Sequence, residues 1–240
     1  MRIGVFDSGL GGLTVLASLI KKYPNNEYIY FGDTLNMPYG GKTKEELYKL
    51  SSKLVEFLKS KKVDLIIIAC GTVSSNNYLE LKRNFDIPIY DILTPTINYL
   101  NQSNLSNIGV IATEMTIKSG IFNNVNKPVI QIYCPKFVPL IENNMIDTIE
   151  MENAINEYLE GKIIDNLVLG CTHYPLIKSK IKEALKRDIN FIDMGEILTN
   201  SLILENNNYK LNFYFSRLND NIKNKVATMF QDYEIEEMEL

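Results

Sequence analysis

The chain is poor in the residues that build metal centres and disulfide frameworks. It holds one histidine and three cysteines, Cys70, Cys134 and Cys171. An odd cysteine count argues against a disulfide scaffold. No CxxC or HxxxH spacing occurs, and Cys171-x-His173 lacks the ligand spacing of a structural zinc site. No metal is expected, and any histidine chemistry has to use His173. Excess positive charge is missing too. Against 25 Lys and Arg stand 29 Asp and Glu, a formal net charge of −4, so nucleic acid is not an expected partner. No apolar run approaches the roughly 20 residues of a membrane span. The amino terminus opens directly into a strand-like MRIGVFD without a secretory leader pattern, so the expected location is the cytoplasm.

What is present is an internal repeat. Asp64-LIIIA-Cys70-Gly71-Thr72 and Asp165-NLVLG-Cys171-Thr172-His173 share an Asp six positions before a Cys, an apolar run between them and a Thr close behind. RIGVF at 2–6 and NIGVIA at 107–112 also match. The equivalences Ile3 to Ile108 and Cys70 to Cys171 are offset by 105 and 101 residues. A near-constant offset indicates duplication of a unit of roughly 100 residues.

Strand and helix patterns alternate along both copies. Strands are predicted over 2–6, 28–31, 64–69 and 87–90, with helices over 10–22, 44–61 and 74–84. The second copy has strands over 107–112, 130–133, 167–170 and 190–192, with helices over 152–160 and 176–187. Thr43 followed by Glu46 reads as a capping box. A further strand over 211–215 and helix over 220–230 follow and are expected to pack back onto the first unit. Polar stretches at 101–107 and 205–209 read as linkers. The expected fold is α/β, with two pseudo-symmetric open, mostly parallel sheet domains and the active site in the cleft between them. The first domain is assigned 1–93 plus 205–240 and the second 94–204.

In open parallel sheets ligands bind beyond the carboxyl ends of the strands. Three clusters occupy such positions: Asp7-Ser8-Gly9, Cys70-Gly71-Thr72 and Cys171-Thr172-His173. A lone cysteine reads as a small buried hydrophobe. Two cysteines at matched strand ends, each just before a predicted helix, read as two equivalent acid/base groups. A helix start lowers a thiol pKa from its free value of about 8.5. Cys134 has no matched position and reads as a packing residue. Asp7 could cap a helix, or bind an ammonium or a phosphate with the glycine-rich turn; the turn fits neither a dinucleotide fingerprint nor a P-loop. His173 could donate a proton or stabilise a thiolate if a carboxylate orients it. Tyr39-Gly40 lies in a long loop, a common place for function in an α/β unit.

The blocks GVFDSGLGGLTVL, YFGDTLNMPYGGKT, IIACGTVSS, CPKFVPLIE and LGCTHYPLI, in this order, resemble the glutamate racemase family over nearly the whole chain. The resemblance implies cofactor-independent racemisation of L- and D-glutamate, supplying D-glutamate for peptidoglycan. It implies that Cys70 and Cys171 are the paired acid/base residues, with Cys70 acting on D-glutamate and Cys171 on L-glutamate. It places Asp7, Ser8, Tyr39, Gly40, Gly71, Thr72, Thr172 and His173 at substrate and makes Glu142 the carboxylate that orients His173. The expected partner is a small amino acid, with a homodimer compatible with the family. The chain departs from the family at Gly71, where Asn is common, and at Gly41, where a polar residue is common. Three other readings stay open. One is racemisation of another acidic amino acid such as aspartate. A second is a weakly active amino-acid-binding paralogue. A third is a Cys-His hydrolase using Cys171 and His173, although residues two apart at a strand end share a face without touching.

Overall fold

In the computed structural model, which describes residues 1–206 and 208–240, the apolar runs form two separate sheets. The linker expected over 205–209 includes Asn207, which lies outside the described residues. The first half runs β1 (Arg2–Asp7), α1 (Gly12–Lys22), β2 (Glu27–Gly32), α2 (Lys44–Ser60), β3 (Leu65–Ile68), α3 (Gly71–Asn84), β4 (Ile89–Asp91) and α4 (Leu93–Gln102). The second half runs β5 (Ile108–Ala112), α5 (Glu114–Lys118), β6 (Val129–Tyr133), α6 (Phe137–Glu142), α7 (Ile149–Leu159), β7 (Asn166–Gly170), α8 (Lys178–Leu185), β8 (Asn190–Asp193) and α9 (Met194–Ser201). The chain ends with β9 (Lys210–Phe215), α10 (Asp220–Met229) and β10 (Tyr233–Glu237).

The duplication is visible in the strand order. The sheets run β10-β9-β2-β1-β3-β4 and β6-β5-β7-β8, so β2-β1-β3-β4 repeats as β6-β5-β7-β8. The ladders between these neighbours are parallel. Strands buried on both faces need continuous apolar runs, as LIII at 65–68 and NLVLG at 166–170 provide. The repeated Asp sits at the far end of each strand. Asp64 Oδ2 accepts the Arg2 amide at 2.7 Å, and Asp165 Oδ2 accepts Asn107 Nδ2 at 2.7 Å. This half of the repeat ties strand starts together and has no part in the cleft.

Two helices absent from the sequence reading join the halves. α4 and α9 follow the last strand of each copy and are started by aspartates 102 residues apart. Asp91 Oδ2 accepts the amides of Leu93 and Thr94, each at 2.9 Å. Asp193 Oδ1 accepts those of Gly195 and Glu196 at 2.9 and 3.4 Å. Leu93, Ile97 and Leu100 give α4 a helical spacing that the sequence reading overlooked, and the two caps satisfy orphan amides. α1, α4 and α9 pack together, and one core cluster includes Val15 and Leu16, Ile92 and Ile97, Val110 and Val168, and Met194 and Leu198. The halves therefore share one hydrophobic interior. Among the described residues, no helix is long and apolar enough to cross a membrane.

Other boundaries also move. α3 starts at Gly71, not Ser74, so Cys70 itself occupies the N-cap position, without a side-chain capping bond. The helix predicted over 176–187 becomes a 3-10 turn at Tyr174–Ile177 followed by α8. β10 extends the first sheet at its edge. Replacing Asp193 with Ala removes the α9 cap and leaves Lys178 without its 2.8 Å partner. The expected loss is about 1–2 kcal/mol in urea unfolding; an unchanged midpoint would remove the cap from the account.

Candidate active site

A cavity of about 600 Å³ lies between the carboxyl ends of the two sheets. Cys70, from the end of β3, and Cys171, from the end of β7, both border it and are 4% and 6% exposed. Ser8, Tyr39, Gly40, Gly71, Thr72, Glu142, Thr172 and His173 border it as well. Asp7 does not. It lies fully buried, where its Oδ2 accepts the Gly12 amide at 2.7 Å and its Oδ1 has no partner. Cys134, read from sequence as packing, also borders the cavity while remaining 1% exposed. The Tyr39 hydroxyl is already engaged, donating to Asp33 Oδ2 at 2.6 Å. Asp33 Oδ1 accepts from Ser216 at 2.7 Å, so this buried knot ties the Tyr39 loop to the end of β9.

The two thiols have different surroundings. Cys70 donates to Ser8 Oγ at 3.6 Å. Burial, and then the charge of Asp7, push its thiol up to about 12, against the smaller opposing effects of the Val73 amide and Ser8. The lowering expected from the helix start is therefore overturned, because desolvation of the thiolate outweighs it.

Cys171 instead faces an imidazole. Its Sγ lies 3.6 Å from His173 Nδ1, and His173 Nε2 lies 2.5 Å from Glu142 Oε1. The expectation that residues 171 and 173 share a face without touching is wrong. β7 ends at Gly170, and residues 171–173 form a turn closed by the Tyr174 amide on the Cys171 carbonyl at 3.1 Å. Strand periodicity no longer applies there. Burial alone would lower the imidazole, but the hydrogen bonds and charges of Cys171 and Glu142 outweigh it and hold His173 well above its usual range. Burial also works to raise the Glu142 carboxyl. The bond and charge from His173, the charge of Lys225 and the Leu10 amide leave it below its usual range.

Glycines set how closely the halves meet. A Cβ on Gly11 would lie 2.4 Å from Thr172 Oγ1 and 2.5 Å from His173 Nδ1. One on Gly71 would lie 3.0 Å from the Gly170 carbonyl, so the residue following Cys70 is pressed against the strand that ends beside Cys171. Thr14 Oγ1 adds a hydrogen bond across the same contact, to the Thr172 carbonyl at 2.9 Å.

The sequence reading missed Thr113. It caps α5, borders the cavity and shares a 3.0 Å hydrogen bond with Thr72 Oγ1. The signal was present, since Thr113 follows Ser8 by 105 residues, the offset that relates β5 to β1. The described residues contain no cluster of three or more His, Cys, Asp or Glu placed to share a metal ion.

Fold and cavity together define a duplicated α/β protein with two thiols bordering one pocket between its sheets. The sequence profile of the Asp/Glu/Hydantoin racemase family matches residues 13–202, and the chain belongs to that family. Within it, a glutamate racemase from Aquifex aeolicus is 39% identical over 237 residues, covering 94% of this chain and 92% of that one. A glutamate racemase isoform from Bacillus anthracis superposes with a TM-score of 0.90 at 28% identity, covering 100% of this chain and 97% of that one. The Francisella tularensis glutamate racemase in complex with D-glutamate superposes at 0.84 with 30% identity and the same coverage.

A raised imidazole stabilises the fold fully below the unfolded value of about 6.5, and this is lost as pH rises through the folded value. A lowered carboxyl stabilises above its unfolded value of about 4.3, and this is lost as pH falls through the folded value. Both contributions are present together between about pH 4.3 and 6.5. The single histidine is a clean NMR probe of the pair. Its ring should titrate well above the ordinary imidazole range and move down in Glu142→Gln; an ordinary wild-type value would contradict the pairing.

Proposed function

We infer that this protein is a glutamate racemase in which Cys70 and Cys171 act as opposed acid and base, without a cofactor. The observation that carries the reading is the pair of buried thiols, delivered by equivalent strands of a duplicated fold to one cavity. The family membership and the glutamate racemases among its relatives support the substrate.

With L-glutamate, the Cys171 thiolate removes the α-proton and the Cys70 thiol delivers a proton to the opposite face of the carbon. With D-glutamate the roles exchange. Cys70 is held as a thiol by burial and Asp7, whereas a thiolate at Cys171 has the His173 imidazolium beside it, oriented by Glu142. Asp7 lies behind the cavity wall, where it holds the Gly12 amide and keeps its charge beside Cys70. Hydroxyls of Ser8, Thr72, Thr113 and Thr172, with amides at the start of α3, can stabilise the negative charge that builds up on the α-carboxylate during proton abstraction. Tyr39 and Gly40 shape the far wall. The reading places the enzyme in the cytoplasm, where thiols stay reduced, making D-glutamate for peptidoglycan.

Enantiomers have equal free energy, so the asymmetry between the thiols cannot make kcat/KM differ between directions. It is expressed in kcat and KM separately. Gly71 favours one further test. Position 71 borders the cavity without a side chain to contact substrate, so aspartate should be assayed as a competing substrate. The Cys171–His173–Glu142 chain alone would also suit a Cys-His hydrolase; Cys70 in the same cavity favours racemisation.

Incubation with L-glutamate in D₂O, with no additive, should give deuterium at Cα and loss of optical rotation. Cys70→Ser and Cys171→Ser should each lower kcat/KM by about 10³-fold in both directions. Absence of α-proton exchange in either glutamate enantiomer would sink the function. Turnover surviving either substitution would sink the two-base assignment.

A further inference from the structure

α10 lies between β9 and β10, in the extension of the first sheet, yet it reaches into the second domain. Lys225 Nζ donates to the Ile141 carbonyl at 3.3 Å, and Asn221 Nδ2 to the Glu142 carbonyl at 3.5 Å. Asn221 Oδ1 accepts from Asn144 Nδ2 at 3.0 Å. These groups meet the carboxyl-terminal turn of α6, where helix carbonyls lack partners within the helix. Glu142 is the last residue of α6, and its side chain holds His173.

α10 is a firm support for such a contact. Asn219 caps it through the Ile222 amide at 2.9 Å, and Ile222 and Val226 are buried in the core shared by both halves. Lys225 is half-buried. Burial lowers its ammonium against the opposing pull of Glu142, while its own charge helps hold the Glu142 carboxyl down. Cys70 relies on Ser8 and Asp7, neither of which is held by Lys225 or Asn221.

We propose that Lys225 and Asn221 are positioning residues that pin the end of α6, so that Glu142 meets His173 and His173 meets Cys171. The first domain's carboxyl-terminal helix thereby sets up the acid/base group of the second. The kinetic consequence rests on the racemase reading; the thiol chemistry does not.

The test uses the full chain with Lys225→Met and Lys225→Arg. Iodoacetamide labelling followed by peptide mass spectrometry reads each cysteine separately, and glutamate racemisation is measured in parallel. In Lys225→Met, Cys171 labelling should slow about fivefold while Cys70 stays within about twofold, and kcat should fall about tenfold. Lys225→Arg, which keeps the donor and charge, should restore both readouts. Unchanged Cys171 labelling in Lys225→Met would overturn the proposal. So would a parallel change at both thiols, which marks general loosening, or failure of Arg to restore. If wild-type protein does not racemise glutamate but the selective labelling change appears, the function fails and the positioning role stands.

Discussion

The close approach of the glycine turn before α1 to the turn after β7 is the constraint on which the site depends. Gly11 leaves no room for a Cβ against Thr172 and His173. Gly12 is equally tight, with a Cβ there falling 2.6 Å from Asp7 Cβ, and its amide holds the Asp7 carboxylate. Tyr30 fixes the same turn by donating to the Gly9 carbonyl at 2.7 Å. This contact brings the two strand ends close enough for both thiols to border one cavity. The core shared by α1, α4 and α9 holds the halves at that spacing. Any residue larger than glycine at position 11 must displace part of the second domain's site.

The duplication supplies a symmetric skeleton, and the flanks then make the two ends chemically distinct. Cys70 stands at the start of an α-helix, where burial and then the neighbouring Asp7 carboxylate favour its protonated form. Cys171 sits in a turn beside an imidazole that is backed by a carboxylate and held above its usual range. A reversible proton transfer needs one base and one acid at the start of each turnover.

Much of this was legible in the sequence. The repeated Asp-apolar-Cys segments gave the two parallel-sheet domains and the two thiols, because buried parallel strands are written as continuous apolar runs. The blocks shared with the glutamate racemase family gave most of the cavity wall and Glu142. The Cys171–His173 contact was not legible, because residue spacing says nothing about where a strand ends and a turn begins. Thr113 was overlooked although its offset from Ser8 marks it. α4 was overlooked although Leu93, Ile97 and Leu100 have helical spacing, and α9 is only eight residues long, too short for a clear period. The buried environment of Cys70 reversed the pKa direction inferred from its place at a helix start, since burial is a property of the assembled fold. The same holds for the contacts of α10 with α6, which join residues about 80 positions apart in sequence.

The central claim is that two thiols face opposite sides of one α-carbon. A crystal structure of the protein with D-glutamate bound tests it most directly. The account predicts the α-carbon between Cys70 Sγ and Cys171 Sγ, with each sulfur roughly 3.5 Å away on opposite faces. Both sulfurs on one face, or either thiol turned away from the α-carbon, would contradict it.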